Sequence, residues 1–282
     1  MPDCEVCFRH CKIEEGMVGF CGARICRDDK IIAANYGKIT SAALDPIEKK
    51  PLKMYNPGKN ILSVGSYGCN LRCPFCQNSD ISWSEKAFAY AQKAETCTPE
   101  EIVQLALELQ SRNNIGIAFT YNEPLVGYEF VRDTAKLSKE AGLKNVLVTN
   151  GTASVQVLDE IMEFIDAMNI DLKAFSDGFY RHLLKGDFAM VKAFIEKATE
   201  SCHVELTTLI IPDENDSEEE MAALSSWVAT LEEKNNKKIP LHITRFFPRF
   251  HMQDKEPTKV EKILRLVEIA KQNLEYVFPG NI

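Results

Sequence analysis

Short apolar runs recur from residue 61 onward, and each is followed by a small or polar residue. They lie at 61–66, 115–120, 145–150, 166–172, 204–210 and 240–246. Runs of this length, bounded by turn-forming residues, are typical of buried β-strands, and helix-like stretches separate them. Such alternation predicts parallel βα units, arranged either as a doubly wound sheet or as an open (β/α)6 barrel.

Three short sequences indicate where helices begin. Thr98–Glu101 combines a capping box with a proline at the first helical position. Ser217–Glu220 and Thr258–Glu261 have the same spacing of hydroxyl and carboxylate. We therefore expect a helix to start directly after each of these hydroxyl residues.

The chain before residue 61 has a different character. Residues 1–30 form a Cys-rich, glycine-containing segment that is too polar to fold on apolar packing, so we expect it to bind a metal. Residues 31–60 contain prolines that exclude a continuous helix, and we expect an extended connector that lies as a strap across the barrel. The charge run Glu48–Lys50 in this connector is expected to be solvated. Residues 61–282 then form the barrel.

Composition narrows the classes of function. A chain of 282 residues with 45% hydrophobic content can build a large core, and its net charge of −8 argues against a nucleic-acid partner. It has no run of about eighteen apolar residues and no apolar signal sequence, so we expect neither a membrane span nor export. The expected location is cytoplasmic, where the ten cysteines would bind metal rather than form disulfides.

Three cysteines follow the first apolar run with C-x3-C-x2-C spacing: Cys69, Cys73 and Cys76. Three thiolates suit a 4Fe–4S cluster in which the protein holds three irons and leaves the fourth open to a ligand. A zinc site completed by a distant fourth ligand, or three unreactive buried thiols, are the alternatives.

Four further cysteines in the first 30 residues have the spacing C-x2-C-x3-C-x9-C: Cys4, Cys7, Cys11 and Cys21. Zinc and a second iron–sulfur cluster both fit this spacing, and free thiols are the third possibility. The sequence favours structural zinc only slightly.

The unusual polar residues of the chain lie where the predicted strands end. Besides the three cysteines, they are Tyr121, Asn122, Glu123, Thr149, Asn150, Asp171, Lys173, Thr207, Thr208, His242, Thr244 and Arg245. Active sites of parallel barrels form at the carboxyl ends of the strands. The positions of these residues therefore predict one active site at that edge.

The stretch Gly68–Asn78, with Phe75 before the third cysteine, resembles the signature of the radical S-adenosylmethionine (radical SAM) superfamily. From Cys4 to Asn78 the chain is similar to the AmmeMemoRadiSam-system branch, near relatives of pyruvate formate-lyase activating enzymes. The resemblance implies a partial (β/α)6 TIM-type barrel with a small Cys-rich amino-terminal extension. It also implies a 4Fe–4S cluster and S-adenosylmethionine (SAM) as cofactors. Longer members of this branch continue beyond the position where this sequence stops.

The same resemblance assigns roles to individual residues. Glu123 matches the acidic position of a GGEP-like motif that faces the SAM amino group, although Tyr-Asn replaces the two glycines here. Lys173 matches a lysine that pairs with the SAM carboxylate. The remaining candidates for cofactor binding are Phe75 near adenine, Asn122, Asn150, Asp171 and Arg245.

Several of these residues also suit a purely structural role. Glu123 could cap a helix, Lys173 could be a surface lysine, and Arg245 could form a strand-end salt bridge. The resemblance also makes Glu48–Lys50 candidates for a substrate-cavity wall.

By resemblance, the reaction is reductive cleavage of SAM to a 5′-deoxyadenosyl radical, with Glu123 and Lys173 as the catalytic candidates. We expect hydrogen abstraction from a protein or peptide substrate and reduction by flavodoxin or ferredoxin. Radical modification of a small molecule, or a non-catalytic iron–sulfur or zinc module, are the alternative functions.

Overall fold

The computed structural model describes the backbone of residues 1–282 and all side chains except those of Phe88, Tyr90 and Gln92. The strands are β1 (Arg24–Arg27), β2 (Lys30–Ala33), β3 (Lys38–Ile39), β4 (Ser41–Pro46), β5 (Asn60–Gly65), β6 (Glu95–Thr96), β7 (Asn114–Phe119), β8 (Lys144–Thr149), β9 (Ala167–Asp171), β10 (His203–Ile210), β11 (Leu241–Arg245) and β12 (Val277–Gly280). The helices are α1 (Ser79–Ser82), α2 (Glu85–Lys93), α3 (Pro99–Glu108), α4 (Tyr128–Glu140), α5 (Val155–Ile161), α6 (Phe188–Ser201), α7 (Glu218–Asn235) and α8 (Val260–Ala270). A π-helix spans Phe179–Leu184.

The central sheet contains eight strands in the order β12-β11-β10-β9-β8-β7-β5-β4. All neighbouring pairs are parallel except β4 and β5, which are antiparallel. Two small antiparallel sheets, β1-β2 and β3-β6, lie outside it. From β5 to β12 the strands follow one another across the sheet without reversing direction. A doubly wound sheet needs such a reversal, so this topology is that of an open barrel with its helices on one face.

All six predicted strands are present, and each is displaced by at most a few residues. The capping predictions at Thr98 and Ser217 are confirmed, because each hydroxyl accepts a hydrogen bond from the backbone amide three residues later. The prediction at Thr258 is wrong. Lys259 is the residue at the start of α8, and the Thr258 hydroxyl donates instead to the carbonyl of Ile210.

The connector packs against the inner face of the barrel. Its residues Ile47 and Leu52 are fully buried and pack against apolar side chains of four strands: Ile61, Ala118, Val146 and Ala167. The carbonyl of Pro51 accepts a hydrogen bond of 2.9 Å from Asn169 Nδ2. The connector also contributes β4, an antiparallel edge strand that the sequence did not predict.

The expectation that the charge run 48–50 is solvated is wrong for Lys50, whose side chain is only 3% exposed. Its ammonium lies 2.8 Å from Asp45 Oδ2, which also accepts a hydrogen bond of 2.9 Å from the Tyr121 hydroxyl. Burial alone would raise the pKa of Asp45, but these hydrogen bonds lower it to about 2. Lys50 and Asp45 therefore form a buried ion pair inside the barrel.

Glu205, near the amino end of strand β10, bonds the connector to the sheet. Its carboxylate is fully buried and accepts hydrogen bonds from the backbone amides of Lys53 and Met54. His203 Nε2 and His242 Nε2 lie 3.0 and 2.6 Å from its oxygens. The expectation that His242 lies at the carboxyl edge is wrong, because it is the second residue of β11. Within the described residues, no helix is long and apolar enough to cross a membrane.

Candidate active site

The three cysteines Cys69, Cys73 and Cys76 lie on the loop that follows β5, at the carboxyl edge of the sheet. The loop begins at Gly68, which has a φ of 95°. A Cβ at this position would lie 2.7 Å from Ala23 Cβ and 2.9 Å from the carbonyl oxygen of Cys21, so only glycine fits.

Of the three cysteines, Cys73 is buried, whereas Cys69 and Cys76 are partly exposed. Burial raises the pKa of Cys69, Cys73 and Cys76, that of Cys73 to about 12, and the charge of Lys173 partly opposes this for the last two. The thiols are therefore protonated at neutral pH when no metal is bound. Metal thiolates form by proton release, so binding at this loop becomes more favourable as pH rises.

Asn122 anchors the start of the cysteine loop. Its amide nitrogen donates to the carbonyls of Tyr67 and Gly68, each at 3.1 Å, and its Oδ1 accepts from the amide of Ser66 at 3.0 Å. The preceding residue, Tyr121, has a φ of 74°, a conformation that a bulky side chain rarely adopts. Glycine would adopt this conformation without strain.

Glu123 is buried to 3% exposure and accepts three hydrogen bonds. The donors are the amide of Asn150 at 2.8 Å, the Thr149 hydroxyl at 2.7 Å and the amide of Leu125 at 3.1 Å. Burial nevertheless raises its pKa to about 7, because loss of solvent outweighs these donors. Glu123 thus caps the short 3-10 helix at 124–127, which agrees with the helix-capping alternative, and also links β7 to the end of β8.

Asn150 lies beside the first cysteine of the loop. Its amide nitrogen is 3.7 Å from Cys69 Sγ and donates to Asn70 Oδ1 at 3.0 Å. Asn70 in turn donates to the carbonyl of Thr152. Asn70 was not among the predicted site residues, because its only sequence signal is its place between two of the cysteines.

Lys173 and Asp171, the last residue of β9, form an ion pair of 2.7 Å. Burial opposes the charge of Lys173, but Asp171 and the nearby Cys73 raise its pKa above the ordinary value. The backbone amide of Lys173 donates to the hydroxyl of the fully buried Tyr180. The surface-lysine alternative is wrong, since this side chain is only 15% exposed.

The two remaining candidates differ in their surroundings. Phe75 is buried to 7% exposure between the second and third cysteines. Arg245 lies at the end of β11, where its Nε donates to the carbonyl of Thr258 and its guanidinium lies 4.7 Å from the Phe247 ring centre. No carboxylate of the described residues pairs with Arg245, so the salt-bridge alternative is not found.

The amino-terminal cysteines surround a separate small cavity. Cys4, Cys7, Cys11 and Cys21 line it together with Arg9, Arg24 and apolar side chains. The segment is attached to the barrel by backbone hydrogen bonds, among them Cys69 N to Cys21 O at 3.2 Å and Ser154 N to Val6 O at 2.8 Å. The two groups of cysteines are therefore adjacent in the fold.

The carboxyl-edge site offers three thiols, one ammonium and a polar rim. Three thiols suit a cluster with one open iron. Lys173 supplies the ammonium of this edge, where it forms a 2.7 Å ion pair with Asp171. The donor set thus fits both cofactors that the sequence resemblance implied.

Comparison with known proteins identifies the family. The profile of the Radical SAM superfamily matches residues 63–225, more than half of the chain. The chain belongs to the radical SAM superfamily. Membership implies a 4Fe–4S cluster and SAM as cofactors. The mostly parallel eight-stranded sheet confirms the expected partial barrel, and the Cys-rich region precedes it in the chain.

Two radical SAM relatives align over most of the chain. An uncharacterized protein of Methanocaldococcus jannaschii is 37% identical over 99% of this chain and 81% of its own length. The pyruvate formate-lyase-activating enzyme of Clostridium pasteurianum is 27% identical over 74% of this chain and 89% of its own. The chain is thus related to pyruvate formate-lyase activating enzymes.

Two solved structures share the fold. A domain of pyruvate-formate lyase-activating enzyme from Bacteroides vulgatus has a TM-score of 0.52 and 17% identity, covering 59% of this chain and 99% of its own. SuiB of Streptococcus suis bound to its precursor peptide has a TM-score of 0.56 and 11% identity, covering 77% of this chain and 47% of its own.

Proposed function

We propose that this protein cleaves SAM reductively and uses the product to abstract a hydrogen atom from a protein or peptide, as an activating enzyme does. When bound, the cluster and SAM supply one-electron cleavage of the sulfonium bond, which leaves methionine and a 5′-deoxyadenosyl radical. The observation that carries the proposal is that the cysteine loop after β5 and the Lys173–Asp171 ion pair at the end of β9 lie at the same edge of the sheet.

Each residue of the site has a role in this proposal. Cys69, Cys73 and Cys76 would hold the cluster through their thiolates. Lys173 binds the SAM carboxylate, and Asp171 orients its ammonium through the 2.7 Å ion pair.

The other candidate residues are proposed to position SAM or the substrate. Glu123 holds Asn150 beside Cys69 through the hydrogen bond to the Asn150 amide, and its carboxylate is the acceptor proposed for the SAM amino group. Phe75 is proposed to pack near adenine. Arg245, which has no carboxylate partner among the described residues, is proposed to meet the ribose or an anionic group of the substrate.

The proposal of a protein or peptide substrate is supported by the relatives of this chain. The activating-enzyme relative aligns over most of both chains, and a structural neighbour has been crystallised with a precursor peptide. A flavodoxin or ferredoxin is the proposed electron donor, because the reaction consumes one electron at low potential.

The test is anaerobic reconstitution with iron and sulfide, followed by addition of dithionite and SAM. We expect 5′-deoxyadenosine and methionine from the intact chain and none from a Cys76→Ala variant. A Cys97→Ala variant is the matched control. It should still form both products, because Cys97 lies outside both groups of cysteines. An intact chain that carries the cluster but forms no deoxyadenosine would be a binding module instead.

A second experiment separates the substrate classes. Cell extract from cells grown on α-deuterated glycine is divided by ultrafiltration into a macromolecular and a small-molecule fraction. We expect only the macromolecular fraction to raise the deoxyadenosine yield and to transfer deuterium into it. Stimulation by the small-molecule fraction alone would instead assign a metabolite as the substrate.

A further inference from the structure

Lys173 lies beyond the paired part of its strand. The last residue of β9 that pairs with β10 is Asp171, and Lys173 follows it by two positions. Two side chains hold its backbone there: the amide of Lys173 donates to the Tyr180 hydroxyl at 3.0 Å, and its carbonyl accepts from Asn215 Nδ2 at 2.7 Å. The position of Lys173 therefore depends on residues that follow it by 7 and 42 positions in the chain.

Both of these side chains are themselves fixed. Tyr180 is fully buried, and its ring stacks on that of Phe188, with ring centres 5.4 Å apart and planes at 28°. Asn215 is buried to 4% exposure and also donates to the carbonyl of Leu209 at 2.9 Å. Side chains that are locked by packing and by further hydrogen bonds can hold a binding group in one place. Tyr180 and Asn215 meet this condition for Lys173.

The π-helix that carries Tyr180 also contacts the cysteine loop. The last residues of a helix have carbonyls without partners inside the helix. The carbonyl of Leu184, the last residue of this π-helix, accepts from the backbone amide of Arg72 at 2.9 Å. A Cβ at Gly186 would lie 2.8 Å from Leu71 Cδ2 and 3.3 Å from Tyr180 Cδ1, so the loop and the tyrosine ring pack against the same glycine. One short segment is thus in contact with both the lysine and the cysteine loop.

Under the proposed function, SAM binds at the cysteine loop and at Lys173 together. A molecule that is held at two points binds well only when both points are correctly spaced. We infer that Tyr180 and Asn215 are positioning residues, which hold Lys173 at the place where its ammonium meets the SAM carboxylate. Tyr180 also couples that place to the cysteine loop through the π-helix. This inference rests on the proposed function and extends it to residues that do not touch SAM.

The experiment measures SAM affinity by isothermal titration of the anaerobically reconstituted, unreduced chain. Tyr180→Phe and Asn215→Ala should each weaken SAM binding by roughly 3- to 10-fold, the range for one lost hydrogen bond. Both variants should retain the iron content of the intact chain, because neither residue is a cluster ligand. Tyr55→Phe is the control and should bind SAM as the intact chain does, since Tyr55 packs on His203 at the amino-terminal edge of the sheet.

Double variants distinguish positioning of Lys173 from any other effect. In a Lys173→Met background the ammonium to be positioned is gone, so adding Tyr180→Phe or Asn215→Ala should change SAM affinity by less than about 2-fold. A further loss of roughly 3- to 10-fold in that background would overturn the inference, as would single variants that bind SAM like the intact chain. Asn215→Ala leaves the π-helix unchanged, so it tests the inference independently of any effect of Tyr180→Phe on the cysteine loop.

Electron paramagnetic resonance (EPR) of the reduced cluster gives a readout that a loss of stability would not change. Without SAM, Tyr180→Phe should have the spectrum of the intact chain, because the cysteines are unaltered. With saturating SAM the two spectra should differ, because SAM is then held by a displaced lysine, and identical spectra would contradict the positioning role. An intact chain that binds no SAM would contradict the proposed function itself, whereas equal binding by the intact chain and both single variants would contradict only this inference.

Discussion

The backbone amide of Asn150 donates a hydrogen bond of 2.8 Å to the buried carboxylate of Glu123. This bond joins the ends of two neighbouring strands, and its acceptor has a pKa raised to about 7 by burial. A carboxylate in this state makes both the geometry of the site and the stability of the chain depend on pH.

The first prediction concerns that dependence in cluster-free protein. The pKa of Glu123 is higher in the folded chain than in the unfolded chain, so the folded chain keeps the Glu123 proton to higher pH. The free energy of unfolding therefore falls as pH rises from about 4.5 to about 7. The loss is on the order of 3 kcal/mol. Glu123→Gln should remove this pH dependence. It should also lower stability at every pH, because the glutamine amide nitrogen would face the backbone amide of Asn150, and both groups are donors.

Urea unfolding at several pH values measures this difference. Glu101→Gln, at the exposed capping box of α3, is the control and should keep the slope of the intact chain. Equal slopes for the intact chain and Glu123→Gln would show that this carboxyl is ionised throughout.

The second prediction concerns SAM affinity. Lys173→Met removes the charge proposed to bind the SAM carboxylate and should weaken SAM binding by roughly 10- to 100-fold, the range for a hydrogen bond to a charged group. Isothermal titration of the reconstituted protein measures the change. Lys144→Met is the control, because Lys144 forms a 2.9 Å ion pair with Asp166 at the opposite edge of the sheet. Equal affinities in both variants would remove Lys173 from the binding site.

The third prediction compares two lysines that share one carboxylate. Lys50 is 3% exposed and Lys49 is 67% exposed, yet both pair with Asp45. Lys50→Met leaves Asp45 without its buried partner and should cost about 3 kcal/mol of unfolding free energy. Lys49→Met should cost less than about 0.5 kcal/mol. Chemical denaturation measures both, and similar costs would mean that the buried pair contributes no more than a surface pair.

The fourth prediction isolates steric crowding at the cysteine loop. Gly68 and Gly58 have φ values of 95° and 76°, so alanine is strained at both positions. Only at Gly68 does a Cβ meet other atoms, whereas at Gly58 nothing lies within 4 Å. Gly68→Ala should therefore lose iron at the loop and destabilise the chain by at least about 1 kcal/mol more than Gly58→Ala. Iron analysis and thermal unfolding check this, and equal behaviour would contradict the close packing.

Local sequence signals predicted much of the fold. The apolar runs located six strands, and Thr98 and Ser217 marked two helix starts, because capping depends on residues three positions apart. Thr258 has the same local pattern, but its hydroxyl bonds Ile210, 48 residues earlier, and the helix starts one residue later. A distant acceptor overrides a local signal of this kind.

The parts that the sequence did not predict depend on closure of the sheet. Lys50 is buried only because the connector crosses the barrel interior. Glu205 and His242 are in hydrogen-bond contact although they are 37 residues apart, and no local sequence pattern at either residue indicates the contact. The three cysteines and Lys173 were predictable because family motifs mark them, whereas Asn70 is recognisable only from its contacts.

The packing of Gly68 against Ala23 has a consequence for how this chain can be recombined. The Cys-rich segment and the barrel share a surface in which one backbone fits against the other without space for a methyl group. A chimera that joins this segment to the barrel of a distant relative would need both halves of that surface. The two parts should accordingly be inherited together and melt in a single cooperative transition.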